Sequence, residues 1–539
     1  MPLPYEILPY SIQTLKQILS DKSRALPAIV DSKLHLLYFE HYFNDLGAAT
    51  ILVENEYIDR DFMEDYAGFY ARCFGKYESS CTRLHFFDRS FTERQFAFTL
   101  LGRGRKLSPR DLQDSYLGFI VVKKLPVTFV GRTCLKTYDP HGGRRFYPTL
   151  RQYKVGLYGV NLIVKRTLAF QEQDRGASAC ATSALWSVFQ ATGKLFQHAI
   201  PSPVEITQLA TQIPDEEVPG ILPSRGLTGR QEIYAIRQLG LEAEHTSAQN
   251  VSDTTGLAYY SLTGPVYAYL RAGIPLLLRV TLYDTSYSPF ARCWDGHAVA
   301  VTGFSLGRSR AVPYQDWGFK TRDTRIDKIY VHDDQVGPFA RMRLDGVSIP
   351  VQVRDGTSNM MSLSTSWRGD NGVVGSVRAV PRFHVVPLYP KIRIRFEFVW
   401  GIVLSFDKFF RERLFGTAFD RLKSLVSPLE WDIQLTLVND RKSEIQADSR
   451  LAAEAKRRIL LSNMPRFIWS AKARYENQVV LELLFDATDI EQGKCFVGAV
   501  KYSSPLFDFL KQECKIVHTN AYYHSKPHWR IIEWFASEK

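Results

Sequence analysis

Cys180, His297 and Asp333 are the residues whose types and settings suit thiol chemistry. A thiol attacks a carbonyl well only as thiolate. The start of a helix favours that form, because free N–H groups and the positive end of the helix dipole are found there. Cys180 closes the small-residue stretch 171–180, and Ala181, Ala184, Leu185, Val188 and Phe189 follow it at the spacing of one apolar helix face. The pattern predicts a helix with Ser178 as N-cap, Cys180 in its first turn and Gly193 as its stop. Ala177, Ser178, Ala179 and Ala181 are small enough to let a substrate backbone come close. His297 opens the apolar run 297–304 after Trp294-Asp295-Gly296, and a His at a strand end, preceded by Gly, can turn its ring into a cleft without a clash. Asp333 follows directly on the strand-like run 328–332, where a carboxylate can hold the imidazole in one tautomer and stabilise its charged form. An oxyanion needs donors aimed at it. The backbone N–H of Cys180 is one; Gln171 and Gln173 both offer a side-chain amide upstream, and Gln173 is preferred as the nearer.

Each residue alone has a plainer reading. Free cysteines are among the most buried residues, and an edge histidine or an Asp-rich turn is commonplace. What shifts the balance is the ordered set, with each member at the end of an expected element. Two other clusters are weaker. His332, Asp333 and Asp334 are all ligand types, but alternation along a strand puts His332 and Asp333 on opposite faces, so no metal and no cofactor is expected. Lys391, Arg393 and Arg395 alternate along an expected strand and, with Arg378, Arg382, Lys408, Arg411 and Arg413, make the densest basic stretch. A solvated face is the favoured reading, and an acidic partner or nucleic acid the sharper one. Gly-Arg-Gly-Arg-Lys at 102–106 reads as a loop, since no P-loop pattern surrounds it.

The elements that must position these residues divide into three regions of α+β character. Residues 1–160 open with helices and continue with strands, including 50–53 and 116–122, with a turn at 140–143. Residues 161–350 hold the candidate chemistry: helices first, at about 203–212, 228–239 and 264–271, then strands at 276–280, 297–304, 328–332 and 339–344. Residues 351–539 begin with a polar stretch, 355–371, read as a linker or mobile loop. Strands at 392–399 and 431–438, helices at 405–425 and 443–461, and a hairpin turning at Glu476-Asn477 follow it, in a basic region suited to partner or substrate recognition.

Gln173…Cys180 before a helix, Gly273-Ile-Pro275 before a strand, Gly296-His297-Ala298-Val299, and a strand ending in Asp333 four residues before Gly337 resemble the papain-like cysteine peptidases of the bacteriocin-processing type, over about 171–340. The resemblance implies a papain-like domain, with Cys180 as nucleophile, His297 as general base and acid, Asp333 rather than Asp334 as orienter, and Gln173 as oxyanion donor. The chain departs from it in having Ala181 where Gly commonly follows the nucleophile. The expected reaction is cleavage of a peptide-type bond in a protein or peptide substrate. The alternatives are acyl transfer or deamidation on the same scaffold, or an inert interaction module. A regulatory protein partner is expected to restrain such activity.

The whole chain is consistent with this. Its 539 residues, 45% hydrophobic and 23% charged, can build several cores. The formal charge of +12 is spread along the chain, so nucleic-acid binding is not favoured. Seven cysteines without C-x-x-C spacing fit a reducing compartment and exclude a zinc ribbon. The N-terminal residues carry no signal-peptide pattern, and no uncharged apolar run is long enough to span a bilayer, so a cytoplasmic location is expected.

Overall fold

The computed structural model describes residues 3–174, 176, 179–213, 226–248, 260–314, 318–353, 356–415, 429–490 and 494–538. Helices take up 35% and strands 34%, an α+β protein. The chain forms two compact units, each built from three chain segments: Met1–Thr246, Gly273–Gly303 and Lys328–Pro387 in the first, Ser247–Ala272, Phe304–Asp327 and Leu388–Lys539 in the second.

In the first unit the β-branched and aromatic runs near the N-terminus form an antiparallel meander. Tyr5–Pro9, Thr50–Tyr57, Cys81–Phe87, Tyr116–Lys123 and Val130–Leu135 lie side by side in that order. A second sheet runs through Leu276–Asp284, Arg292–Leu306, Ile326–Asp333, Gly337–Arg343, Leu363–Ser364 and Val377–Leu388. Val377–Leu388 pairs back onto Leu276–Asp284, so this sheet closes on itself and leaves no edge in that ring. One aromatic core joins the two sheets: Phe39, Phe43, Phe86 and Phe129 are buried together with Phe170, Tyr330 and Phe339. That shared core is why the boundary expected near residue 160 is not one of the two-unit divisions. The apolar residues of 1–160 are completed by residues more than a hundred positions away, which local periodicity cannot reveal.

The second unit carries the sheet Pro313–Tyr314, Phe319–Thr321, Glu430–Leu437, Phe467–Tyr475, Gln478–Asp486 and Phe496–Lys501. The expected hairpin turns at Glu476 and Asn477, both left-handed with φ of 46° and 67°, as a twisted two-residue turn demands.

Several elements differ from expectation. Helix Phe396–Phe415 starts inside the run read as strand 392–399. Arg393 and Ile394 donate to Ala487 O at 2.8 and 3.1 Å before the chain turns into the helix, so Lys391, Arg393 and Arg395 form no alternating strand face. Residues 416–425 of the expected helix 405–425 lie outside the described residues. The helix expected over 443–461 is two, Val438–Ala447 and Ala453–Leu461, because Asp448 accepts the Arg450 N–H at 3.0 Å and offers the backbone a turn instead. The stretch 355–371 is no linker. It holds the strands Gly356–Met361 and Leu363–Ser364, the first paired with Ser348–Val353. No helix among the described residues is long and apolar enough to cross a membrane.

Candidate active site

Cys180 is the first residue of helix Cys180–Phe196. The expected N-cap, Ser178, lies outside the described residues; the N-cap is Ala179, which has no side chain to offer the first-turn N–H groups. The helix runs past Gly193, because that glycine serves packing. A Cβ there would sit 2.5 Å from Ile200, and the left-handed residue that ends the helix is Gln197, at φ 60°.

His297 lies within strand Arg292–Leu306 rather than at its start, opposite Val280. It marks the point where the strand becomes buried: residues 292–296 are largely exposed and those from His297 onward are buried. Gly296 is not needed for clearance, since a Cβ there would meet nothing within 4 Å. Asp333 ends strand Ile326–Asp333, as expected. Next to it, His332 points elsewhere, with Nδ1 3.3 Å from Ser187 Oγ and its ring against Phe170 and Phe339.

These elements bring Cys180, His297 and Asp333 together. His297 Nε2 is 3.1 Å from Asp333 Oδ1, and the Cys180 side chain is near enough to the imidazole to favour its charged form. With Nε2 taken by Asp333, Nδ1 is the nitrogen left for the thiol. Burial works against a charged imidazole here, but the Asp333 charge and hydrogen bond outweigh it, and His297 is held well above its ordinary range. Burial likewise opposes ionised Asp333, yet the His297 charge and hydrogen bonds from His297, Trp367 and the Gln335 N–H keep it below the usual carboxylate range.

Trp367 was hidden in the stretch read as linker. Its Nε1 donates to Asp333 Oδ2 at 2.8 Å, and its ring lies edge-on to His297 at 5.1 Å. The loop is fixed by bonds of its own: the Gly375 N–H reaches Trp367 O at 2.7 Å, and Thr365 Oγ1 accepts the Trp367 N–H at 3.1 Å. Beside the indole is a cavity of about 410 Å³, lined by Trp294, Trp367, Gln335, Lys33 and His35 among others.

The segment leading to Cys180 is pinned by two buried carboxylates that sequence reading passed over. Glu172 accepts the Val130 N–H at 3.1 Å and pairs with Lys33. Asp174 accepts the Gly176 N–H at 2.7 Å and the Tyr70 hydroxyl. Gln173, between them, is half-buried and makes no side-chain hydrogen bond among the described residues. Gln171 is buried, with no partner for Nε2 among the described residues. No signal in a single sequence marks Glu172 or Asp174, since their partners lie up to 139 positions away.

His297, Asp333 and Asp334 have ligand atoms within 4.8 Å of one another, a spacing that a metal ion could use. Three donors already occupy Asp333, which leaves Asp334 Oδ1 as the spare acceptor, 3.6 Å from His297 Nε2. Asp334 is pushed up to about 6 by burial, against the pull of His297 and with the Asp333 charge adding to the rise. A carboxyl raised on folding contributes stability below its unfolded pKa of about 4, and that contribution is lost as the pH rises through about 6. Asp334→Asn removes this titration. Its stability relative to the parent is expected to improve by about 2 to 3 kcal/mol between pH 4 and pH 8. Urea unfolding at the two pH values checks this, and an unchanged difference refutes it.

Of the remaining thiols, Cys81, Cys134, Cys495 and Cys514 are buried and pushed up to about 12 by that burial. Cys293 is exposed and Cys73 intermediate. No protein-family model matches the chain, and no curated protein matches it.

Proposed function

We propose that the chain is a papain-like thiol hydrolase that cleaves a peptide or isopeptide bond in a protein substrate. The observation that supports this most is the His297–Asp333 hydrogen bond with Cys180 beside the imidazole, the cysteine standing at an uncapped helix start. The Cys180 sulfur attacks the scissile carbonyl, and His297, charged beside Asp333, gives its proton to the leaving amine. Water, activated by the then neutral His297, releases the acyl group. The Cys180 N–H and the Gln173 amide, which has no partner among the described residues, are the donors for the oxyanion. Trp367 covers the His297–Asp333 pair and limits water there, which strengthens their interaction.

Alkylation by iodoacetamide tests this reading, with Cys293 as the internal control because it is the exposed thiol. Cys180 is expected to react about tenfold or more faster than Cys293 at pH 7, and His297→Ala to abolish that advantage. Peptide mapping of the adducts reads the result. Labelling of Cys180 no faster than Cys293 would sink the proposal.

A further inference from the structure

A second feature stands apart from the thiol site and makes no use of it. Helix Glu93–Leu100 and the loop after it enclose a groove of about 960 Å³. Its ten lining residues include Arg94, Arg103, Arg105 and Lys106 and no carboxylate. All four cations are exposed, and none is in an ion pair among the described residues. The adjacent Arg89 is different, being paired with Asp111 at 2.5 Å while donating to Lys106 O, so it anchors the loop. The charge of Glu93, the one carboxylate on this helix, is felt at Tyr5. Phe98 is 40% exposed in the groove, with the Arg94 guanidinium 5.6 Å from its ring centroid one helical turn earlier.

The loop is built rather than loose. Thr99 Oγ1 donates to Leu107 O at 2.5 Å, the Arg103 N–H reaches Phe98 O at 2.8 Å, and a Cβ on Gly104 would lie 2.2 Å from Leu107 O. By contrast, part of the basic stretch singled out in the sequence is spent internally. Arg378 pairs with Asp345, Arg411 with Asp407 and Arg413 with Glu513.

We infer that this groove binds single-stranded nucleic acid, with phosphates on the four cations and a base stacked on Phe98. The combination of unpaired cations with an exposed aromatic ring decides for a nucleic-acid strand over an acidic peptide, which needs the charges but not the ring. A strand meeting four cations should show a log-affinity against log-salt slope of about −3.

The test is fluorescence anisotropy of the full chain with labelled single-stranded 12-mer RNA and DNA and a 12-residue poly-glutamate, across a salt series. The expected result is strand binding with that slope and weaker peptide binding. The double variant Arg103→Glu/Arg105→Glu should lose about tenfold or more in affinity and about half the slope. Phe98→Ala should lose about fivefold or more with the slope unchanged. These side chains are exposed, and a thermal melt confirms that each variant is folded. Absence of strand binding, equal or tighter peptide binding, or unchanged affinity in the double variant each overturns the inference. Binding is read without turnover, so the outcome is independent of the thiol chemistry.

Discussion

Replacing His297 with alanine is expected, on the proposed reaction, to lower turnover by about three to four orders of magnitude, because it would remove both the base for Cys180 and the acid for the leaving amine. Asp333→Asn should cost nearly as much. It takes away the negative charge that keeps the buried imidazole protonated, so burial then wins and His297 falls below its ordinary range. Without that cation beside it the Cys180 thiolate is less favoured, so the pH profile of Cys180 alkylation should shift toward alkali in Asp333→Asn. Asp334→Asn should lose less than about tenfold, because Asp334 Oδ1 lies at 3.6 Å from the imidazole and Asp333 keeps the shorter contact. Alkylation rate constants for the three variants, with turnover on a fluorogenic peptide mixture, separate these roles. Equal losses at Asp333 and Asp334 would show that the two carboxylates share the function.

Gly337→Ala is the second change with a large expected effect, this time on stability. Gly337 sits at φ 148°, where a side chain is strained, and its Cβ would lie 2.6 Å from the Tyr38 ring. The ring has no easy retreat. Its hydroxyl donates to Pro338 O, and it stacks on Tyr42 at 5.7 Å. Backbone strain and overpacking together are expected to cost about 3 to 5 kcal/mol. Urea unfolding measures the cost. A loss under about 1 kcal/mol would mean that the turn after Asp333 adapts.

Glycine 337 also shows what could be read in the chain and what could not. Its spacing from Asp333 was visible as a pattern, but its cause, an aromatic ring from the N-terminal region, was not. Cys180 at a helix start and Asp333 at a strand end were legible because local periodicity and element ends are local properties. Trp367 escaped because polar composition imitates a linker, although its backbone is held by the Gly375 N–H and the Thr365 hydroxyl. Glu172 and Asp174 escaped because a buried carboxylate looks like any other until its partners, Lys33 and Tyr70, are brought to it. The helix beginning at Phe396 reads as strand in the sequence because Lys391, Arg393 and Arg395 alternate with Ile392, Ile394 and Phe396 at the period of a strand.

The alternation of the two units along the chain has a bearing on synthesis. Cys180 leaves the ribosome in the first segment of its unit, His297 in the second, and Asp333 and Trp367 in the third, which ends at Pro387. At ordinary translation speeds the thiol waits about 10 to 40 seconds for its partners. Until residue 297 is made the nascent chain holds a cysteine with no base, and a polypeptide released before residue 333 lacks both the carboxylate and the indole that hold His297. The order of segments thus keeps the proposed thiol site incomplete until synthesis has passed Asp333 and Trp367, a safeguard written into connectivity.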